Sequence, residues 1–387
     1  MLAVIDGSGL GVSLLMVLVA MYIIKYACDS FEGASDYLGT EVYHMKPGVR
    51  GATLEAIASS LPELFTTLFL LFVFNDVGGF AAGVATCAGS AVFNAVIIPA
   101  VCILAVTIKG VDGKIIDRLG IHLSAIIRDG SFFILSELCL IFFLGMGELT
   151  WWMGLALMGL YAVYFSILMR GMGADEEEDE EDDEEEEESR GLLGSVCTFD
   201  FHQLLYQGRE FTKGSAWVVL LCSTATIAGA CYLLSESVIL SAESLHVQPY
   251  FTAVIFGAAA TSVPDTFISY KDAMKGDYDD AVANAIGSNI FDICIALGFP
   301  LALYSGWQIL QGETGIVSLA ENGPVGVQEL RIVLVMLSVV IIGIFVSAPK
   351  KKTEEGTLLL IGKGHGFGLL SLYAVWTAFI VYQVMGS

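Results

Sequence analysis

The feature that most limits what this chain can become is the length of its apolar runs. A helix needs about 20 mostly apolar residues to cross the hydrocarbon of a bilayer. Ten segments meet or approach that requirement: 9–27, 50–74, 79–107, 124–144, 149–169, 214–236, 249–270, 281–305, 330–348 and 366–385. Hydrocarbon offers no partner to a free N–H or C=O, so runs of this kind satisfy their backbones internally, as helices. Composition agrees. Of 387 residues, 55% are hydrophobic and 16% are charged, against roughly 25% charged in an ordinary soluble domain. The mean hydropathy is +0.72. A disordered chain is excluded by this apolar content. A net charge of -24 leaves no basic surface for nucleic acid. No basic stretch precedes the first run, so a cleaved signal peptide is not expected. The expected fold class is an all-α polytopic membrane protein with ten transmembrane helices.

Positive charge orients these spans. With the N-terminus outside, every one of the 18 Lys and Arg residues except Arg331 falls on the inner side. That is the asymmetry a membrane potential imposes, and it places both termini outside. Fourteen consecutive acids, Asp175 to Glu188, then lie in an inner connection between spans five and six. Such a block repels itself and is expected to be a solvated linker; a weak calcium-attracting or regulatory role is the sharper alternative. After it, 191–213 carries Leu192, Leu193, Val196, Phe199, Phe201, Leu204, Leu205, Tyr206 and Phe211. This stretch reads as an amphipathic helix on the inner surface or as a short polar connector. The expected organisation is an N-terminal half, 1–170, an inner loop, 171–213, and a C-terminal half, 214–387. The eight cysteines form no CxxC pair and mostly lie in apolar runs, so they read as small buried residues.

Two stretches repeat one another. The first is Ala58-Ser59-Ser60-Leu61-Pro62-Glu63, followed by Gly89-Ser90-Ala91-Val92-Phe93-Asn94. The second is Ala260-Thr261-Ser262-Val263-Pro264-Asp265, followed by Gly287-Ser288-Asn289-Ile290-Phe291-Asp292. The repeats occupy about 50–107 and 249–305, in spans two and three and in spans seven and eight. Each half therefore contains five spans, an odd number, so the second copy is inverted in the membrane. Inverted repeats with interrupted helices are a common way to build a binding site at mid-membrane.

Glu63 and Asp265 fall inside spans, where an acid is costly and marks function. Each follows a proline, which removes a backbone donor and frees a carbonyl one turn earlier. Ser59, Ser60, Thr261, Ser262, Ser90 and Ser288 add hydroxyls, with Asn94 and Asp292 one turn beyond the last two. The set is all oxygen, without His or Cys, which suits a hard cation such as Ca2+ and also Na+. Glu55 is a further acid in span two, Glu137 is expected to be paired within the bundle, and Arg128-Asp129 reads as an interfacial ion pair. Asp272, Asp277, Asp279 and Asp280 read as a solvated inner turn. The histidines (44, 122, 202, 246 and 365) have no metal-ligand spacing, and no nucleophile triad or nucleotide loop is present, so neither an enzyme nor a primary pump is expected.

At these motifs the chain resembles the cation/calcium exchanger superfamily, in its sodium/calcium exchanger branches. The resemblance is carried by Gly51 to Glu63 with Gly89–Asn94, and by Gly257 to Asp265 with Gly287–Asp292, about a quarter of the chain. It implies a central ion site between spans two, three, seven and eight, with Glu63 and Asp265 as acidic ligands. Hydroxyl ligands would be Ser60, Thr261, Ser262, Ser90 and Ser288, with Asn94 and Asp292 beside them and the carbonyls of Ala56 and Ala258. It also implies that spans one and six slide across this core. Departures are visible: Ala58-Ser59 replaces the family's usual Gly-Thr or Gly-Ser, and Glu55 stands at a usually apolar position. Thr261-Ser262-Val263-Pro264-Asp265-Thr266 resembles the potassium-independent branch, whereas Gly287-Ser288-Asn289-Ile290-Phe291-Asp292 resembles the potassium-dependent one. The implied function is exchange of sodium for calcium in a cell membrane, with calcium extruded. Ca2+ and Na+ would be the transported ions, K+ a possible third, and no nucleic acid or obligate protein partner is expected. Proton-coupled or other divalent-cation exchange is the alternative, although the Gly-Asn-x-x-Glu pattern of proton/calcium exchangers is missing.

Overall fold

The computed structural model describes residues 9–45, 54, 56–74, 79–111, 114–171, 192–207, 209–318, 334–336, 339–340, 343–344, 347–353 and 356–386. Glu55, the acidic tract 175–188, Gly51 and most of the ninth span lie outside them.

The chain begins with α1 (Gly9–Tyr37), which runs on through a π turn at Leu38–Val42. Next come α2 (Ala56–Phe72), α3 (Gly79–Lys109), β1 (Arg118–His122), α4 (Leu123–Leu144), β2 (Glu148–Thr150) and α5 (Trp151–Gly171). Two short helices follow, α6 (Leu192–Cys197) and α7 (Phe201–Tyr206), and then the long α8 (Lys213–Leu245). The next span is broken into α9 (Pro249–Thr252), a π segment (Ala253–Gly257), α10 (Ala258–Thr261) and α11 (Val263–Lys275). Then α12 (Tyr278–Phe291) continues through a π segment (Asp292–Leu297) into α13 (Gly298–Leu310). The strands β3 (Ile316–Ser318), β4 (Lys350–Thr353) and β5 (Gly356–Gly362) precede the last helix, α14 (Lys363–Gly386).

Among the described residues, six helices are long and apolar enough to cross a bilayer, and the pair meeting at Ser262, bent by 41°, makes a seventh. The helix α2 has 17 residues, and α4 has 22, with Arg128, Asp129 and Glu137 among its apolar residues. The architecture is mainly helical, with five short strands among the described residues, which corrects the all-α expectation at the connections.

Several boundaries differ from the hydropathy reading for one physical reason. The helix α1 extends 15 residues beyond 27 because Phe31, Ala34, Ser35 and Leu38 keep a buried face where Asp29, Glu32 and Asp36 end the apolar run. The helix α8 reaches Leu245 because Val238, Ile239, Ser241 and Ala242 remain buried past 236. At 1.5 Å per residue its 33 residues span about 50 Å, more than the roughly 30 Å of hydrocarbon. Its start is fixed by a capping box, in which the Thr212 hydroxyl accepts from Ser215 N and Ser215 Oγ accepts from Thr212 N. The stretch 191–213 does not form one amphipathic helix. Phe199 adopts φ 49° and breaks it, and Asp200 caps the new start by accepting from Gln203 N at 2.9 Å.

Pairing between elements repeats itself. The helix α1 lies along α8, α3 packs on α14 as α5 packs on α13, and α2 packs on α3 as α11 packs on α12. The strands show the same duplication. Strand β5 pairs antiparallel with β1 and β4, joining the connection before α14 to the one after α3. Strand β3 pairs antiparallel with β2, joining the connection after α13 to the one between α4 and α5. The core runs through α3, whose Ala82, Ala85, Ala88 and Ala91 are fully or almost fully buried and let neighbouring helices approach. Gly89 is the closest approach, since a Cβ there would stand 2.3 Å from Val254 O.

Candidate functional site

Two stripes of polar side chains face each other across the two repeats. On α3, Thr86, Ser90 and Asn94 recur every fourth residue; on α12 and the π segment after it, Asn284, Ser288 and Asp292 do the same. A spacing of four keeps side chains on one helical face. Glu63 on α2 and Asp265 in the first turn of α11 reach these stripes, and Ser59, Ser60, Glu63, Ser90, Asn94, Thr261, Ser262, Asp265, Ser288 and Asp292 all have 0% exposure.

Hydrogen bonds join this set into one network. Ser90 Oγ lies 3.1 Å from Glu63 Oε1 and 2.9 Å from Asp292 Oδ2, and it shares a 2.9 Å bond with Ser262 Oγ. Ser288 Oγ donates to Asp265 Oδ1 at 2.7 Å. Asn94 Nδ2 reaches Asp265 Oδ2 at 3.3 Å and Ser90 Oγ at 3.4 Å. The repeat symmetry is visible in these contacts: the serine after glycine holds the acid after proline in both halves. It recurs one turn earlier, where Ser59 Oγ donates to Ala56 O at 3.3 Å and Thr261 Oγ1 to Ala258 O at 3.2 Å. Every candidate side chain except Ser60 is thereby bonded to another candidate residue. Ser60 Oγ has no hydrogen-bond partner among the described residues.

The prolines act differently in the two halves. Pro264 sits in the first turn of α11, and the chain is broken before it at Ser262. Pro62 lies inside the continuous helix α2, so the expectation of an interrupted helix holds only for the second repeat among the described residues. The turns of α2 that begin at Pro62 are met from α8, where Cys231 Sγ donates to Pro62 O at 3.5 Å and Ser235 Oγ to Thr66 O at 3.5 Å.

None of the three carboxylates forms an ion pair with a basic side chain among the described residues. Three acids in one buried network, without a basic partner among the described residues, need positive charge from elsewhere, because an uncompensated buried charge costs several kcal/mol. Glu63 Oε2, Asn94 Oδ1 and Asp292 Oδ1 are acceptors without partners among those residues. No three His, Cys, Asp or Glu side chains there converge as a preformed chelate. Any cation held here would be shared between carboxylate, hydroxyl and amide oxygens.

Two residues beside the site were missed in the sequence reading, Asn284, which is half-buried, and Asn289, which is fully buried. Asn284 Nδ2 donates to Asp265 O at 3.3 Å and to Ser269 Oγ at 2.9 Å, and Asn289 Nδ2 donates to Ala91 O at 3.3 Å, across the two halves. The four-residue stripe ending at Asp292 would have found Asn284. Glu137 corrects an expectation: it is fully buried, and neither carboxylate oxygen has a partner among the described residues. Arg128 and Asp129 do pair, through Nε at 2.7 Å and Nη2 at 2.9 Å. Asp279 is no simple solvated acid, because it accepts from His122 N at 2.7 Å and bonds His122 Nδ1 at 2.5 Å. All eight cysteines are free thiols, and Cys197 is exposed rather than buried.

Comparison with known proteins places this geometry. The family profile described as "Sodium/calcium exchanger protein" matches residues 12–170 and 215–382. The mouse (Mus musculus) protein named "Sodium/potassium/calcium exchanger 4" is 36% identical over 166 residues, 42% of this chain and 24% of that protein. The human protein named "Sodium/potassium/calcium exchanger 3" is 33% identical over 163 residues, 41% of this chain and 24% of that protein. The chain thus matches about a quarter of the length of these curated relatives. Among solved structures, the H+/Ca2+ exchanger CAX superposes with TM-score 0.65 at 16% identity, over 97% of this chain and 84% of that one. The sodium-calcium exchanger NCX_Mj superposes with TM-score 0.53 at 18% identity, over 95% and 99% of the two chains. The fold is shared with both structures, and the profile match covers both halves of the sequence. The chain belongs to the sodium/calcium exchanger protein family.

Proposed function

We propose that this protein is a secondary antiporter that exchanges Na+ for Ca2+ by alternating access and extrudes Ca2+ from the cell. The observation that carries this reading is the buried, all-oxygen network of Glu63, Asp265, Asp292, Asn94 and the surrounding hydroxyls, with no basic partner among the described residues. Hard cations take such oxygens, Ca2+ with six to eight of them. Glu63 and Asp265 are the central Ca2+ ligands, flanked by Asn94 and Asp292, and Ser59, Ser60, Ser90, Thr261, Ser262 and Ser288 complete the Na+ positions with the carbonyls of Ala56 and Ala258. One set of oxygens that holds either cation, but not both fully, is what antiport requires.

The ten-span, two-repeat topology, with both termini outside and the acidic loop inside the plasma membrane, is supported by the strand pairings. Both connections joined by β1 and β5 carry the inner-side charges Lys114, Arg118 and Lys350–Lys352, and the β2–β3 pair joins the two connections assigned outside. The helices α1 and α8 meet along small and aliphatic side chains, including Ala20, Ile24, Ala27, Ile227, Ala230 and Leu234, with one side-chain hydrogen bond between them, Ser241 to Ser13 at 3.0 Å. A face of this kind suits a pair that slides over the ion site.

Calcium uptake into vesicles, with Na+, K+ and H+ gradients imposed one at a time, tests the coupling. An outward Na+ gradient drives uptake, and Glu63→Gln or Asp265→Asn abolishes it while the protein is still made. Near-normal flux in both variants overturns the ligand assignment, and uptake driven by a pH gradient without Na+ overturns sodium coupling. Asp292, together with the sodium/potassium/calcium exchanger relatives, favours one second reading: K+ moves with Ca2+, and uptake then requires K+ on the same side.

A further inference from the structure

The two acids that follow the prolines are not held alike. Glu63 lies in α2, which runs unbroken through Pro62, so its own helix fixes where it stands. Asp265 lies in the first turn of α11, directly after the break at Ser262. The first N–H groups of a helix have no partner within it, and a 41° bend separates this turn from the helix before it. The place of Asp265 is therefore fixed from outside α11. Ser288 Oγ on Oδ1 and Asn94 Nδ2 on Oδ2 hold the carboxylate itself. Asn284, one turn before Ser288 on α12, holds the backbone: its Nδ2 donates to Asp265 O at 3.3 Å and to Ser269 Oγ at 2.9 Å. Ser269 is fully buried, and its carbonyl accepts from Cys102 Sγ of α3 at 3.3 Å.

The first repeat supplies the comparison. Thr86 precedes Ser90 by four residues as Asn284 precedes Ser288, and Thr67 follows Glu63 by four as Ser269 follows Asp265. Thr86 Oγ1 donates to Ala82 O of its own helix at 3.0 Å, and Thr67 Oγ1 pairs with Cys87 Sγ at 3.3 Å. The residue matching Asn284 thus spends its donor within α3, beside an acid whose helix is continuous. Asn284 spends its donor on α11, whose helix begins anew.

We infer that Asn284 is a positioning residue for Asp265, fixing where the second carboxylate presents its oxygens and thereby the affinity for Ca2+, without itself being a ligand. The inference rests on the exchanger reading proposed above and adds to it the residue that compensates for the broken helix. A binding constellation works only when its groups are held within about 0.5 Å of the productive geometry. Ca2+ takes carboxylate oxygens at about 2.3–2.6 Å, so a first turn of α11 free to shift against α12 weakens the site. Ser269 Oγ, on the same Nδ2, keeps the amide from turning away from Asp265.

The test is Ca2+ flux into vesicles through the full chain, read as half-saturating Ca2+ and maximal rate, with the melting temperature of the purified chain measured without Ca2+. Asn284 is half-buried, and alanine suits a helix interior, so Asn284→Ala is expected to melt close to the parent. It is expected to raise half-saturating Ca2+ about tenfold, the size of one buried hydrogen bond, with the maximal rate little changed. Asn284→Gln, which retains an amide donor, is expected to recover part of the loss. Combined with Ser288→Ala, Asn284→Ala is expected to cost less than the product of the two single effects, because both act on one carboxylate. An unchanged half-saturating Ca2+ in Asn284→Ala, or a loss confined to melting temperature and maximal rate, overturns the inference while the exchanger reading stands. A double variant that multiplies the single effects overturns it equally. A parent chain that moves no Ca2+ overturns the exchanger reading and this inference with it. Should Asn284→Ala fail to fold, Asn284→Leu, of similar size and without a donor, carries the same expectation and the same refutation.

Discussion

Ser90 is the residue on which the two halves of the site depend most. Its hydroxyl lies within hydrogen-bond distance of Glu63 and Asp292 and shares a bond with Ser262. Replacing it with Ala leaves those acceptors without their donor at no steric cost. Ser90→Ala is therefore expected to keep the fold and raise the half-saturating Ca2+ concentration about tenfold, the size of one charge-assisted hydrogen bond. Flux against external Ca2+ measures it, and an unchanged value would show that the network seen here is not the one that binds. Ser288→Ala removes only the bond to Asp265 and is expected to do less harm. The residue scale is also where the sequence was most legible. A small residue, two hydroxyls, a proline and an acid are rare company inside apolar runs, and meeting them twice marked the residues that the structure gathers. Asn289 and Asn284 stood in the same runs but could not be singled out. Their roles depend on which carbonyl of another helix they meet, and no spacing within one helix states that.

At the level of elements, close approach governs. Gly89 lets α3 pass the π segment at Val254 with no room for a methyl group. Gly89→Ala is expected to destabilise the protein by about 1–3 kcal/mol, as overpacking does, and to lower its melting temperature in detergent; an unaltered melt would contradict the packing. The start of α8 makes a smaller prediction. Thr212→Ala breaks the capping box and should cost about 1 kcal/mol, and Thr212→Asp, which restores a cap acceptor, should recover most of it. Among the described residues, hydropathy located the centres of the long apolar helices well, because burial in lipid or in the bundle demands apolar side chains in either case. It placed the ends of α1 and α8 poorly, because beyond the apolar run their burial comes from neighbouring helices. It also could not distinguish Pro62, carried within α2, from Pro264, which heads a new helix. Both prolines remove the same donor, and the packing around them decides whether the helix breaks.

Over the whole molecule, the two small sheets tie distant connections together. Single cysteines at Lys114, Lys351 and Glu148, in a chain carrying Cys197→Ser, test the resulting topology with a membrane-impermeant maleimide. Lys114→Cys and Lys351→Cys are expected to react from one side and Glu148→Cys from the other. Labelling of all three from the same side would refute the ten-span order. The His122–Asp279 bond ties the three-stranded sheet to the start of α12 on that same face. Asp279→Asn is expected to slow exchange without changing Ca2+ affinity, measurable as a lower maximal rate at an unchanged half-saturating Ca2+ concentration.

Apolar length, a property of the chain in order, was enough to say that it is a mainly helical protein of several membrane spans. The duplicated motif was enough to single out the acids Glu63, Asp265 and Asp292 that the structure brings into one network. These are one-dimensional facts, because a membrane solvates each segment almost independently of the others. Which hydroxyl holds which carboxylate, and that Glu137 is buried with no hydrogen-bond partner among the described residues, were settled only by how the elements pack. Those outcomes turn on contacts between residues roughly two hundred positions apart, and nothing local in the sequence encodes their distance.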